Sequence, residues 1–295
     1  MLKDREFDLN GAVAQLLHAY RSGIVLEDLT SASRPQSVAQ ARDIQHGLME
    51  RLGGHAGWKV GKLDAGIEPG CAPISQERML QSPAQWKFPV NAPLEIEVEV
   101  AVSFSRDLTG SAVIGKEELR ASIAHLHPAL EVVSSRFRRK EILPALTTTG
   151  DFQSNAGLIP GPGIGDWQSL DLGHLEMELL FDGRRVAQAS NGADQIQMLD
   201  ALTWLANHAR ECGKALRKGD AILTGARIKP AVVQRDVLVQ ANVRGLGTGA
   251  GSGRCEGSAI RHQCSKVRYK SSTNLGRTAP WAPLSAFGNY KINSC

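Results

Sequence analysis

Cysteine is scarce and long apolar runs are missing from this chain of 295 residues. Its five cysteines are an odd number without regular spacing, which excludes a disulfide framework and a zinc-binding signature. No apolar run approaches the roughly 20 residues that a bilayer-spanning helix needs. The first ten residues are charged and contain no apolar segment of the kind found in secretory signals. We therefore expect a cytoplasmic protein without a membrane partner.

The body of the chain also lacks an excess of basic charge, although the formal net charge is +4. Seven lysines and arginines but one acidic residue, Glu256, follow Ala250. The rest of the chain therefore holds 27 basic and 29 acidic residues, a formal charge of −2. Since a nucleic-acid-binding domain carries a basic patch, the main body is expected to bind no nucleic acid.

Glutamates alternate with apolar residues between positions 94 and 104, in the sequence LEIEVEVAVSF. This period of two predicts a β-strand with one apolar face and an opposite face that carries Glu95, Glu97 and Glu99. Glutamate is depleted in strands, and like charges on one face repel each other. Residues i and i+2 of a strand are only ~7 Å apart, so one divalent cation can bind two such carboxylates. The alternative interpretation is a solvated strand face that happens to carry glutamate.

A third carboxylate, Glu131, lies in a second apolar stretch, PALEVVSSRF at 128–137. The spacing of apolar residues predicts a helix over 115–126, which the following proline would end. ALEVV is then typical of a short buried strand, where a lone carboxylate is costly unless it is paired or binds a metal. Three carboxylates make a hard, oxygen-rich site that suits Mg²⁺ or Mn²⁺. His125 and His127 are interpreted as surface or capping residues, because such a site does not need them.

A second Glu-x-Glu pair, Glu176 and Glu178, provides a control for this interpretation. It lies in a hairpin predicted over residues 175–189, and Arg184 and Arg185 follow directly after the Asp-Gly turn. These local positive neighbours favour an outer, solvated face rather than a metal site.

Seven motifs follow one another in an order that resembles a known family. They are GWKVG at 57–61, APIS at 72–75, EVEVAVSFSRDL at 97–108, HPALEVVSSRF at 127–137, DFQSNAGLIPG at 151–161, LTWLANHARECGKALRKGDAILTGA at 202–226 and GLG at 245–247. Together, over about residues 9 to 248, they resemble the 2-keto-4-pentenoate hydratase group of the fumarylacetoacetate hydrolase superfamily.

The resemblance implies a role for each matching residue. It makes Glu97, Glu99 and Glu131 the ligands of Mg²⁺ or Mn²⁺, with Glu95 outside the matched pattern. It also makes Lys59 a catalytic residue facing the substrate, whereas spacing alone would favour an ordinary exposed lysine. The substrate-binding residues that it implies are Asp151, Ser154, Asn155 and Thr224.

Two departures from the family pattern accompany these matches. Family members usually continue after GWKVG with Leu-Thr or Leu-Ser, where this chain has Lys62, Leu63 and Asp64. Phe152 replaces the first asparagine of the usual Asp-Asn-Gln-Ser-Asn.

The pattern of strands and helices predicts an α+β fold, and the resemblance implies a fumarylacetoacetate hydrolase-like rolled mixed β-sheet with an N-terminal helical lobe. Amphipathic helices over 8–20 and 35–52 form the lobe, residues 1–56. Residues 57–248 form the metal-dependent catalytic domain, with an irregular connection at 66–93. Because hydrophobic periodicity ends there, residues 249–295 are expected to be a disordered or non-native tail that lacks the closing strand of the family.

The resemblance further implies a homo-oligomeric hydro-lyase acting on a small 2-keto acid. The expected reaction adds water to a 2-hydroxy-2,4-dienoate and gives a 4-hydroxy-2-keto acid, in the catabolism of aromatic compounds. Decarboxylation of 2-oxo-3-hexenedioate and hydrolytic C–C cleavage of an acylpyruvate are the alternatives within the superfamily. A catalytically silent partner of an active subunit is the alternative outside enzymes.

Overall fold

The computed structural model of the protein describes residues 6–63, 68–86, 93–110, 112–233 and 237–252. Side chains are described up to residue 246. No helix in these ranges is long and apolar enough to cross a membrane. The five α-helices of the described ranges are α1 (Leu9–Ser22), α2 (Val38–Arg51), α3 (Lys116–Ser122), α4 (Ala145–Gly150) and α5 (Gln195–Glu211).

Eleven strands belong to the described ranges. They are β1 (His55–Val60), β2 (Cys71–Ser75), β3 (Leu94–Phe104), β4 (Ile123–Val133), β5 (Asn155–Pro160), β6 (Met177–Phe181), β7 (Arg184–Ala189), β8 (Ala221–Leu223), β9 (Ile228–Val233), β10 (Leu238–Val243) and β11 (Gly247–Ser252). Two helices precede the first strand, and the strand pairings are antiparallel except that of β1 with β8, which confirms the predicted α+β class.

The larger sheet has seven strands, and β3 is its central element. Its order is β2-β1-β8-β3-β4-β5, and β9 also pairs with β3. The sheet is mixed, because β1 and β8 are parallel whereas β3 is antiparallel to β4, β8 and β9. The predicted alternation of β3 is confirmed at its start, where the apolar residues are fully buried and Glu95 and Glu97 are half-buried.

The smaller sheet has four strands in the order β11-β10-β6-β7. It contains the predicted hairpin, β6 and β7, whose turn includes Asp182 at positive φ. The backbone of β11 pairs antiparallel with β10 over Gly247–Ser252, so a closing strand is present where the sequence indicated its loss. The remainder of the expected tail lies outside the described residues.

Helices α1 and α2 form the expected N-terminal pair. Asp8 caps α1 by accepting a hydrogen bond from the amide of Gly11. The predicted start of the second helix at Pro35 is wrong, because Ser37 caps α2 and the helix begins at Val38. The apolar sides of both helices pack on Phe137 and Phe152, which joins this lobe to the larger sheet.

The connection predicted to be irregular over 66–93 contains a regular strand, β2. All five of its residues are buried, since β2 pairs with β1 and its faces are covered. Burial on both faces removes the period of two on which a sequence-based assignment depends.

The predictions for 115–126 and for His127 are also wrong. Helix α3 ends at Ser122, and β4 then runs from Ile123 through Pro128. His127 is 1% exposed, its Nδ1 donates to the carbonyl of Gly161 at 2.9 Å, and Ser103 Oγ donates to its Nε2 at 2.9 Å.

A proline inside β4 explains why His127 is buried and hydrogen-bonded to the carbonyl of Gly161. Gly161 N donates to the carbonyl of Pro128 at 2.7 Å, but Pro128 has no N–H to return to the carbonyl of Gly161. His127 Nδ1 supplies that missing donor, which fixes the tautomer with the proton on Nδ1. The histidine therefore completes the ladder between β4 and the chain after β5.

We predict an acid-sensitive contribution of His127 to stability. Burial lowers its pKa from 6.5 to about 4, so the unfolded state binds its proton first as the pH falls. The free energy of unfolding should fall between about pH 6.5 and pH 4, and His127→Gln should remove that part of the fall. Urea denaturation at a series of pH values measures it. His125→Gln is the control, and an unchanged acid limb in His127→Gln would contradict the prediction.

Candidate functional site

The register of β3 and β4 brings the three predicted carboxylates together. Glu97 lies directly opposite Glu131, and Glu99 is two residues further along the same face of β3. One oxygen of each carboxylate lies within 4.8 Å of the others. Directly opposed like charges destabilise a strand pair, so the cluster requires nearby positive charge.

Burial intensifies this repulsion. Glu99 is 2% exposed and Glu131 is fully buried. Burial and the charge of Glu131 raise the pKa of Glu97 to about 7, and the same causes raise the pKa of Glu99 well above its ordinary value. Without a cation, the cluster therefore tends to hold protons at neutral pH.

Lys59 provides one positive charge from β1. It is opposite Leu223 of β8, which is in turn opposite Ala101 of β3, so Lys59 lies on the same sheet face as Glu97 and Glu99. Its Nζ donates to Glu131 Oε1 at 2.6 Å. Burial lowers the pKa of Lys59, but the charges of Glu131 and Glu99 more than offset this, and the net pKa is raised. The lysine is an ammonium ion at neutral pH.

Asn155 joins the same carboxylate from β5. Its Nδ2 donates to Glu131 Oε1 at 2.8 Å, so this oxygen accepts both the lysine and the amide. The other oxygen, Glu131 Oε2, is buried and has no hydrogen-bond partner among the described residues. A buried oxygen without a donor calls for a physical explanation, and a bound cation would supply one.

The Arg136–Asp151 ion pair positions the turn that precedes Asn155. Both side chains are almost fully buried, and Ser135 Oγ also donates to Asp151 Oδ2 at 2.9 Å. Arg136 Nη1 donates to the carbonyl of Asn155 at 2.8 Å. The structure thus pairs the carboxylate of Asp151 with Arg136 and Ser135.

Ser154 is another of the predicted substrate-binding residues, and it lies in the same turn. Phe152, Gln153 and Ser154 all have positive φ values, between 51° and 64°. Such conformations are uncommon for residues with a side chain and persist where surrounding contacts hold them. Ser154 is 4% exposed, and its carbonyl accepts from Ser134 N at 2.9 Å.

Thr224 and Gly225 follow β8, which flanks β3 on the edge opposite β4. The hydroxyl of Thr224 donates to the carbonyl of Val100 at 2.8 Å, which leaves its oxygen lone pairs as the remaining polar function. Gly225 has φ of 104°, a conformation that favours glycine, and its amide donates to Glu99 Oε2 at 2.9 Å. This bond fixes one oxygen of Glu99.

The residues present fit a divalent cation. The donors are carboxylate oxygens on rigid strands, which suit hard ions such as Mg²⁺ and Mn²⁺. Glu131 Oε2 is a buried oxygen without a partner, and a cation would reverse the repulsion that raises the pKa values of Glu97 and Glu99.

The control pair behaves as the sequence indicated. Glu178 accepts a hydrogen bond from Arg185 Nη1 at 2.6 Å, and Glu176 forms an ion pair with Arg244 at 2.7 Å. Both glutamates are more than a third exposed; Glu178 belongs to β6 of the smaller sheet and Glu176 directly precedes that strand. Each has its own guanidinium partner, in contrast with the clustered carboxylates of β3 and β4.

Arg136 and Gly225 are two residues of the site that sequence reasoning left without a role. Arg136 belongs to the matched motif around Glu131, but its contact with Asp151 is set by the tertiary fold. Gly225 follows β8, and a glycine just after an apolar stretch is the one signal in the sequence that could have indicated it.

Comparison with known proteins identifies a family whose model matches more than half of this chain. Residues 66–252 match the family described as Fumarylacetoacetate (FAA) hydrolase C-terminal. A 2-keto-4-pentenoate hydratase from Burkholderia vietnamiensis is 31% identical over 154 residues, which cover 52% of this chain and 58% of that protein. A 2-hydroxyhexa-2,4-dienoate hydratase from Comamonas testosteroni is 29% identical over 156 residues, 52% of this chain and 57% of that protein. The chain therefore spans a little more than half the length of these relatives.

A solved structure shares the fold. A 4-oxalocrotonate decarboxylase from Pseudomonas putida, complexed with magnesium and adipate, superimposes with a TM-score of 0.71 at 20% identity. The match covers 85% of this chain and all of that one. It supports the predicted rolled, mixed-sheet architecture with an N-terminal helical lobe.

We predict that removing one carboxylate stabilises the metal-free protein at neutral and alkaline pH. Because the folded-state pKa of Glu97 is raised from 4.5 to about 7, the folded state binds more protons in this interval. The free energy of unfolding, measured with a chelator, should fall as the pH rises from about 4.5 to about 7, and the fall should be shallower in Glu97→Gln. Glu178→Gln is the control without this effect. Lower stability of Glu97→Gln than of the parent at pH 8 would refute the prediction.

Proposed function

The chain belongs to the fumarylacetoacetate hydrolase family, and on this premise we propose that it is a divalent-metal-dependent hydratase of 2-hydroxy-2,4-dienoates. The product would be a 4-hydroxy-2-keto acid, as in the catabolism of aromatic compounds. The observation that carries this proposal is the buried cluster of three carboxylates. In it, Glu131 Oε2 has no hydrogen-bond partner among the described residues, whereas Glu131 Oε1 accepts from Lys59 and Asn155.

Glu97, Glu99 and Glu131 would hold the cation, Mg²⁺ or Mn²⁺. When bound, such an ion supplies a Lewis acid that stabilises negative charge on the oxygens of a 2-keto acid. Glu131 is the ligand whose orientation is best defined, because its other oxygen accepts from Lys59 and Asn155. Gly225 N orients Glu99 in the same way.

Lys59 would be the catalytic residue, acting as an acid rather than a base. Its raised pKa keeps the ammonium charged, and its contact with Glu131 holds Nζ at the cluster. An ammonium in this position stabilises negative charge that develops at the C2 oxygen of the substrate and can donate a proton.

The substrate-binding set is proposed with different roles for its members. Ser154 and Asn155 lie in the turn beside Glu131, and Thr224 precedes the residue that contacts Glu99. Asp151 would act on the substrate indirectly, because its pairing with Arg136 positions this turn.

The named relatives favour hydration among the possible reactions. The two hydratases described above align with this chain at 31% and 29% identity, whereas the decarboxylase is similar at the level of fold. Decarboxylation of 2-oxo-3-hexenedioate, acylpyruvate cleavage and a silent subunit remain the outcomes against which the proposal is tested.

A panel of substrates tests the proposed reaction. The purified protein with Mg²⁺ or Mn²⁺ is given dienols with and without a distal carboxylate, and an acylpyruvate, and the products are identified by mass spectrometry and NMR. Hydration requires a 4-hydroxy-2-keto acid product. Release of CO₂, cleavage to pyruvate or absence of turnover on every compound would each replace the proposal with the corresponding alternative.

We predict that Glu99→Gln weakens the binding of Mn²⁺ by at least about 100-fold, since even outer-shell changes cost 10–100-fold in metal affinity. Isothermal titration calorimetry of the chelator-treated protein measures it. Glu178→Gln belongs to the other Glu-x-Glu pair and should bind like the parent. Parent-like affinity in Glu99→Gln, or loss of binding in Glu178→Gln alone, would reject the assignment.

We also predict that Lys59→Met lowers kcat by roughly 10²- to 10⁴-fold, the usual contribution of a positioned proton donor. Metal affinity should be largely retained, because the three carboxylates remain. Lys62→Met is the matched control, an exposed lysine three residues further along the chain. If Lys62→Met is the damaging change, Lys59 does not have the role assigned to it.

A further inference from the structure

Arg227 lies beside the carboxylate cluster, although no motif singled it out. Its amide donates to the carbonyl of Val98 at 2.9 Å, and the next residue, Ile228, is opposite Val98 in the register of β3 and β9. Ile228 and Val98 are buried together in the core. Arg227 directly precedes β9 and lies two residues after Gly225, whose amide donates to Glu99 Oε2 at 2.9 Å, and the charge of Glu99 acts on the Arg227 side chain.

The guanidinium of Arg227 has no acidic partner among the described residues. Its Nη2 donates to the carbonyl of Ala193 at 2.6 Å, and its Nη1 donates to the carbonyl of Leu172. It packs against the backbone of Gly192, where a Cβ would lie 2.3 Å from Nη1. The side chain is thus fixed in place by neutral groups, and it keeps further N–H donors.

Glu99 is the charged group whose field reaches Arg227. Burial lowers the pKa of Arg227, and the Glu99 carboxylate acts in the opposite direction. Three carboxylates and the Lys59 ammonium leave two negative charges, which one divalent cation balances. Once the cluster is balanced, Arg227 is a half-buried positive charge without a counter-charge. Such a charge is costly unless an anion binds it.

We propose that Arg227 binds a carboxylate of the substrate next to the metal-loaded cluster. The proposal rests on the proposed function, because it assumes a cation bound by Glu97, Glu99 and Glu131. Guanidinium is suited to this task, since its planar N–H groups match the two oxygens of a carboxylate. The carboxylate is either the one next to the keto group or a distal one, and the two differ in the test below.

The competing explanation is that Arg227 serves the fold alone, by tying the segment at Leu172 to the segment at Ala193. In that case its loss lowers the melting temperature without changing the affinity of the folded protein for anions. Binding and thermal stability therefore have to be measured on the same variants.

On the whole 295-residue chain, with and without Mn²⁺, isothermal titration calorimetry measures binding and differential scanning calorimetry measures the melting temperature. The probes are pyruvate, with one carboxylate, 2-ketoadipate, with two, and methyl pyruvate, in which the carboxylate is esterified. The variants are Arg227→Gln, Arg227→Lys and Lys229→Gln. The last of these removes an exposed positive charge from β9 and is the matched control.

We expect Arg227→Gln to weaken the binding of pyruvate and 2-ketoadipate by roughly 10- to 100-fold, as for the loss of a charged hydrogen bond. Methyl pyruvate should bind the parent and Arg227→Gln with equal affinity. Arg227→Lys should recover part of the affinity for pyruvate and 2-ketoadipate that Arg227→Gln loses. Affinity for Mn²⁺ should not fall, because Arg227 repels the cation. A loss confined to 2-ketoadipate also supports the proposal and identifies the distal carboxylate.

Parent-like affinity of Arg227→Gln for both acids overturns the proposal, and so does an equal loss in Lys229→Gln. It is also overturned if pyruvate and 2-ketoadipate fail to bind the loaded parent. Failure of the proposed function is distinguishable, because it appears as absence of Mn²⁺ binding in the parent, or as unchanged Mn²⁺ binding in Glu99→Gln.

Discussion

The structure depends on one unfavourable contact, the opposition of Glu97 and Glu131 across β3 and β4. A shift of one residue in this register would turn Glu131 to the opposite face, so the pairing of these strands and the existence of the cluster are inseparable. The repulsion is reduced by groups from strands on both sides. Lys59 comes from β1 and Asn155 from β5, and both bind the same oxygen of Glu131.

The features that sequence reasoning predicted correctly are those with a strong local pattern. The alternation of β3 and the amphipathic pattern of α1 place one face of each element in the core, and the structure confirms both. A carboxylate cluster that includes Glu131 was also anticipated, because a buried carboxylate in a strand is costly without a partner or a metal, and the family resemblance selected Glu97 and Glu99 rather than Glu95. Their roles as ligands remain proposals.

The features that sequence reasoning missed are set by contacts between distant segments. β2 is buried on both faces, so its residues show no alternation. His127 is buried because a proline in β4 leaves a carbonyl without a donor, which becomes evident when β4 and the chain after β5 are adjacent. Arg136 and Arg227 are polar residues whose partners are mostly backbone carbonyls, and no residue type in the sequence identifies such partners in advance.

The strand order has a consequence for how the chain acquires its site. The contact between Gly225 and Glu99 spans 126 residues, and that between Lys59 and Glu131 spans 72. β8 is inserted between β1 and β3, so the strands that carry Lys59 and Glu99 become neighbours through a strand made much later. Pairings of such high contact order form slowly, because the entropy of loop closure is lost before the contacts that offset it are made. During synthesis, the carboxylates of β3 and β4 can meet long before β8 exists, so a nascent chain carries the repulsion before β8 can join the strand of Lys59 to β3.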